Sequence, residues 1–211
     1  MPVITVSRQY ASGGSNIAKL VAKRLGWTLV DNEFVDRVAG QAGLSRKEVE
    51  EREERVPGLA ERLARALAIS SPEVFVATGE PPEPQFGSEA DLVRATEAVI
   101  NQAVQQEERL IMVGRGAQAH LAQHEDTLHV FVVAPRELRV RAAADRLGVS
   151  AKEAEDCVDK TDEGRRRYVK ANYHRRWDNP TNYHLVLNTG VFSYEQCADL
   201  IVEAARARGW V

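Results

Sequence analysis

Residues 3–25 read VITVSRQYASGGSNIAKLVAKRL, and the architecture turns on how this stretch is read. Val3-Ile4-Thr5-Val6 is a short, continuous, β-branched run of the kind found in strands buried on both faces. A polar turn with paired glycines follows, and Ile17, Leu20, Val21 and Leu25 then recur at helical spacing. Strand, glycine turn and helix form the layout of a phosphate cradle, because the N–H groups and dipole of a helix N-terminus both favour an anion. Ser12, Gly13, Gly14, Ser15 and Asn16 make its rim. The spelling departs from the usual phosphate loop, G-x-x-x-x-G-K-S/T. Arg8 stands at the first glycine and Gly14 at the lysine, while Gly13 and Ser15 conform. Taken alone, an ordinary glycine turn accounts for the stretch equally well.

Working outward, the 211 residues suffice for one domain with a sizeable core, and 44% hydrophobic with 28% charged residues is a globular balance. A net charge of −3 argues against strong global attraction to nucleic acid or anionic membrane. Cys157 and Cys197 form neither a disulfide framework nor a metal spacing, and read as small buried hydrophobes. His120, His124 and His129 show no metal spacing either. With no basic leader, no apolar run of about 20 residues and few cysteines, a reducing cytoplasm is the expected location.

Four further apolar runs punctuate the chain: residues 27–30, 110–113, 128–133 and 184–188. Amphipathic segments alternate with them. Ser45 to Glu48, Ser88 to Asp91, Ser150 to Glu153 and Ser193 to Gln196 spell helix starts. Gly148 suits a helix end and Pro135 a helix beginning. Residues 32–67 read as a charged helical region, 79–87 as a loop, and the last helix places Leu200, Ile201 and Ala204 on its buried side. Strands alternating with helices predict an α/β fold: a five-stranded parallel sheet between helical layers. Ligands of such sheets sit beyond the carboxyl ends of the strands. Those ends carry Arg8, Asp31, Gly114-Arg115 and Asn188-Thr189, a rim suited to phosphate.

With these residues in place the sequence resembles the cytidylate kinases, and more closely their divergent cytidylate-kinase-like relatives. Residues 4–26 run without a gap against that family's first strand, phosphate loop and helix. Asp31-Asn-Glu-Phe-Val-Asp-Arg37 matches its D-T-G-A-M-Y-R spacing, and Gly114-Arg115 matches G-R-D with Gly116 in place of the aspartate. Asp159-x-x-Asp162-x-x-Arg165 resembles its lid and base-recognition segment, and residues 183–189 its final strand. Residues 55–87 carry none of the likeness.

The resemblance implies a P-loop kinase fold in a single domain, with a core of about 1–31, 88–150 and 183–211. A helical acceptor-side insertion spans about 32–87, and a lid and base-recognition region about 150–182. It implies Mg²⁺- and ATP-dependent phosphoryl transfer to a nucleoside monophosphate, CMP or dCMP foremost. Residues Ser12 to Asn16 would hold the donor phosphates and Ser15 the metal. Asp31, Arg37 and Arg115 would bind the acceptor, joined by Asp159 and Asp162. Arg115, Arg139, Arg141 and Arg165 would act on the transferring group. The absent lysine needs a substitute cation, for which Arg8 is nearest in sequence.

Simpler readings stand beside these. Arg37 pairs equally well with Glu33, and Arg139 or Arg141 suits an ordinary helix surface. The basic run Arg165–Arg176 suits a solvated face or a nucleic-acid surface, the latter against the net charge. Tyr168, Tyr173 and Trp177 suit base stacking or helix packing. Competing functions are a kinase of a non-nucleotide small molecule and a non-catalytic nucleotide-binding or regulatory module. Oligomeric state is not legible.

Overall fold

Strand β1 (Val3–Arg8) is buried from Val3 to Ser7, as its unbroken apolar spelling requires, and it forms the centre of the sheet. The structure is a computed structural model and describes residues 1–31 and 89–211. Its elements continue with α1 (Gly14–Leu25), β2 (Thr28–Val30), α2 (Glu89–Gln106), β3 (Leu110–Val113), α3 (Ala117–His120) and β4 (Thr127–Val133). Then come α4 (Arg136–Leu147), α5 (Ala151–Tyr173), a 3₁₀ turn (Pro180–Asn182), β5 (Leu185–Asn188) and α6 (Tyr194–Ala207). The strand order is β2-β3-β1-β4-β5 and all pairs are parallel. A parallel sheet between helical layers is the three-layer α/β fold that the sequence predicts.

Alternate residues of each strand feed two cores, as the period of two dictates. Ile4 and Val6, Ile111 and Val113, and Val130 and Val132 face α1 and α6, where Ile17, Val21, Ala198 and Ile201 complete the larger core. Val3, Leu110 and Met112 face the opposite side and meet Ile100 of α2 with Ala117 and Leu121. Phe131 packs under α5, stacked on Tyr183 at 4.7 Å and edge-on to Trp177 at 5.2 Å. Trp177 is thus a core residue, 5% exposed, rather than a base-stacking platform.

Helix ends follow local chemistry. Ser150 and Ser193 close reciprocal capping boxes with Glu153 and Gln196, and Gly148 caps α4 in the left-handed region at φ 66°. Pro135 occupies the residue before α4 instead of its first turn. One expected face needs correction. Leu200 is 41% exposed, because α6 packs through Cys197, Ala198, Ile201, Val202 and Ala205. The small residues let it approach α1 closely. Both cysteines are free and buried. The expected helical insertion 32–87, the caps at Ser45 and Ser88, the loop 79–87 and Arg37 lie outside the described residues.

Candidate active site

The cradle is built where β1 hands over to α1. Gln9 N–H still bonds to Val132 of β4 at 2.9 Å, after which the chain turns through Ala11 at φ 58° and Gly13 at φ 82°. The turn is braced from below. The Ser12 hydroxyl is buried against the carbonyls of Gln9 (2.8 Å) and Val132 (3.1 Å), and Thr189 Oγ1 donates to the Ser12 carbonyl at 2.9 Å. Ser12 therefore shapes the loop from inside while its backbone stays in the rim. Helix α1 begins with no side-chain cap on Gly13 and no acidic residue in its first turn. The N–H groups of Gly14, Ser15 and Asn16, which no helix can satisfy internally, stand at the positive end of the dipole.

Three arginines converge on this cradle. A cleft lined by Arg8, Tyr10, residues 13–16, Arg146 and Arg165 opens there, and no carboxylate is among its described lining residues. Arg165 Nη1 donates to the Arg8 carbonyl at 2.8 Å and lies 3.6 Å from Asp162. Arg146 lies with its guanidinium 4.8 Å from the centre of the Tyr10 ring. Burial, with a hydrogen bond to Cys157, pushes the Tyr10 hydroxyl up to about 12, so the ring stays neutral beneath that cation. An arrangement this rich in donors and poor in acceptors suits a polyphosphate.

Arg139 and Asp162 lie beneath the cleft. Arg139 Nη1 donates to Asp162 at 2.6 Å and to the Tyr10 carbonyl at 3.3 Å, while its Nε donates to the Ala134 carbonyl at 3.1 Å. Asp162 also accepts from Tyr10 N–H at 2.8 Å. The pair is nearly excluded from water, with side chains 8% and 10% exposed, and it fastens α4 and α5 to the phosphate turn. Asp159 and Arg141 stand apart. Asp159 is solvent-facing, bonded to Arg136 at 2.8 Å, and that bond holds its carboxyl below the usual range. Arg141 is exposed, about 200° around α4 from Arg139.

Farther along the strand ends, Asp31 is buried at the end of β2, beside the end of β3. Gly114, Arg115 and Gly116 follow β3 with φ of 75°, 57° and 69°, three left-handed residues in succession. Tyr168 and Tyr173 of α5 press on this turn; a Cβ on Gly116 would lie 2.7 Å from the Tyr173 ring. Their packing role is thus established by contact. The basic run is partly neutralised by carboxylates that flank it, since Arg166 pairs with Glu163 and Asp178. Among the described residues no cluster of His, Cys, Asp and Glu would hold a metal, and no helix is long and apolar enough to cross a membrane.

Sequence reasoning missed Arg146, Gln9 and Tyr10. Gln9 Oε1 accepts from Ala134 N–H at 3.1 Å and joins the turn to the end of β4. Arg146 had a signal: it falls seven residues after Arg139, on the same face of a helix, whereas Arg141 does not.

Comparison with known proteins agrees with this geometry. The profile of the Cytidylate kinase-like family matches residues 3–191. A crystal structure of an uncharacterized protein from Eubacterium ventriosum superposes with a TM-score of 0.69 at 18% identity, covering 99% of this chain and 100% of that one. Shikimate kinase from Acinetobacter baumannii gives 0.53 at 13% identity, over 99% and 94% of the two chains. TT1252 from Thermus thermophilus gives 0.53 at 20%, over 98% and 97%. A curated uronate isomerase from Corynebacterium glutamicum is 37% identical over 94 residues, 44% of this chain, and the matched stretch is 18% of that protein's length. So small a share does not carry its activity over.

Proposed function

The chain belongs to the Cytidylate kinase-like family, a small-molecule kinase assignment in general terms, and on that premise we propose that it transfers the γ-phosphoryl group of ATP to a nucleoside monophosphate, with CMP or dCMP as the leading acceptor. The observation that carries this reading is the uncapped N-terminus of α1 faced by Arg8, Arg146 and Arg165. The backbone of residues 13–16 holds the donor phosphates. The Ser15 hydroxyl is the ligand available to Mg²⁺, which when bound neutralises phosphate charge. The acceptor oxygen bonds to the γ-phosphorus as the bond from that phosphorus to the bridging oxygen breaks and ADP leaves. Neutralisation and alignment are what such a step requires. Arg165 and Arg146 supply charge at the donor side, and Arg115 grips the acceptor with Asp31 orienting it. Arg37 belongs to the same acceptor group. Arg139 and Asp162 position the turn. Arg141 and Asp159 contact nothing in the cleft as it stands, and reach substrate only through movement of α4 and α5.

A second reading, a kinase with a non-nucleotide acceptor, is favoured by the shikimate kinases that share the fold, one of them in complex with shikimate. A third, a non-catalytic nucleotide-binding module, is favoured by Gly14 in the lysine position. Coupled ADP release with Mg·ATP, measured across nucleoside monophosphates, nucleosides and shikimate, separates the three. We expect turnover with a pyrimidine monophosphate. Turnover with shikimate alone selects the second reading. ATP binding without acceptor-stimulated ADP release selects the third.

A further inference from the structure

Arg8 and Gly14 depart from the phosphate-loop spelling together, and the structure shows that they share one space. A Cβ placed on Gly14 would lie 2.5 Å from Arg8 Cβ and 3.1 Å from its Cγ, with Val132 Cβ behind at 3.4 Å. These are root atoms of the arginine, fixed by β1, so they have no freedom to step aside. A lysine at position 14 is therefore excluded while Arg8 is present. At the far end of the same side chain, a Cβ on Gly114 would lie 1.8 Å from Arg8 Nη1 and 3.0 Å from its Cζ. Arg8 is thus threaded between two glycines, its root against the donor cradle and its guanidinium against the left-handed turn after β3. At Gly14 the root of this side chain leaves no room for a Cβ, whereas Gly114 meets its flexible end and is also held at φ 75°.

We propose that Arg8 and Gly14 are a positional exchange. The cation that a phosphate loop normally carries at the first turn of the helix has moved to the end of the strand, and the small residue of the strand end has moved to the helix. From there the guanidinium reaches toward the acceptor turn and faces the transferring phosphoryl group from the side opposite α1. The planar fork of arginine, unlike an ammonium, can bridge two phosphate oxygens from that direction. The exchange also accounts for the two mismatches occurring together, since each alone would leave either no cation or two side chains in one place. This inference rests on the donor-binding reading above.

The test exploits the reciprocity. Substituting Arg8→Gly and Gly14→Lys together spells GQYASGKS over residues 8–15, the standard phosphate loop. Mg·ATP affinity is measured by calorimetry, and thermal midpoint without ligand, for wild type, each single variant and the double variant. Arg8→Met, which keeps the stem and removes the charge, is measured beside them. We expect Arg8→Met to keep the wild-type midpoint while ATP affinity falls at least tenfold. Gly14→Lys alone should lower the midpoint or fail to fold. The double variant should regain the midpoint and bind ATP within about threefold of wild type, an outcome that tenfold in affinity, about 1.4 kcal/mol, makes easy to resolve. Unchanged ATP affinity in Arg8→Met, or a double variant that binds no better than Arg8→Gly, overturns the exchange and leaves the kinase reading standing. Failure of the wild type to bind Mg·ATP overturns both.

Discussion

Arg115 holds φ at 57° between two glycines that are also left-handed. For a residue with a Cβ that conformation costs about 1–2 kcal/mol, and glycine would adopt it without strain. A non-glycine residue held at positive φ between two glycines points to a demand other than folding. If that demand is a phosphate contact, stability and activity should separate. Arg115→Gly should be more stable than Arg115→Ala by about 1 kcal/mol, because alanine keeps the strain and glycine relieves it. Both should lose roughly 2–4 kcal/mol of transition-state stabilisation in kcat/KM for the acceptor, with ATP affinity little changed. Urea unfolding and steady-state kinetics on the two variants check this, and kinetics equal to wild type would remove Arg115 from the site. The likeness of Gly114-Arg115 to the family's G-R-D segment led to this residue from sequence, but the strain became visible with the backbone, since nothing local in Gly114-Arg115-Gly116 announces three left-handed residues.

Helix α5 is the element that ties the site together. Its middle fastens the turn after β1 through Asp162 and Arg165, and its last turns press Tyr168 and Tyr173 on the turn after β3. The two aspartates that look alike in the sequence, Asp159 and Asp162, therefore differ in consequence. Removing Asp162 strands the buried Arg139 guanidinium, a loss of about 3–5 kcal/mol, equivalent to a fall of roughly 6–20 °C in Tm for a chain of this size. Removing Asp159 breaks a solvent-facing pair with Arg136, a loss below about 1 kcal/mol. Asp162→Asn should thus melt far earlier than Asp159→Asn, with an unaltered ranking of acceptor bases. A changed ranking with an unchanged Tm would restore Asp162 to base recognition. Why this was illegible is plain: the partner of Asp162 is the backbone of Tyr10, 152 residues away. Spacing along a helix reports which side chains share a face and nothing of what that face meets. Caps such as Ser150 with Glu153 and Ser193 with Gln196 were legible because both partners lie within one turn.

Across the whole molecule, the three inner strands β1, β3 and β4 were legible because each is buried on both faces and so spells a continuous apolar run, while the edge strands β2 and β5 keep apolar spellings although they are only partly buried. His129 interrupts β4 as a polar residue, the second of LHVFVV, and it is 3% exposed. Its ring is accommodated as the neutral form. Thr127 Oγ1 gives its proton to the His124 carbonyl at 2.8 Å, so it accepts from His129 Nε2 at 3.2 Å. His129 Nδ1 then accepts from the Thr5 hydroxyl at 2.7 Å. Burial, and then the stacked His184 ring 5.0 Å away, lower the His129 pKa from 6.5 to about 4. The sign follows from proton counting. As pH falls below 6.5 the unfolded chain takes up a proton that the folded chain refuses, so stability is lost until the folded group itself titrates near 4. Above 6.5 the group contributes no slope. Between pH 7 and pH 5 the loss from this residue is about 2 kcal/mol, part of a total of roughly 3 kcal/mol at lower pH. Urea midpoints at the two pH values should therefore diverge in the wild type, and His129→Gln, less stable at pH 7, should show a flatter dependence by about 2 kcal/mol. Parallel curves for the two proteins would mean that the central histidine titrates as freely folded as unfolded, and that acid sensitivity arises from another group.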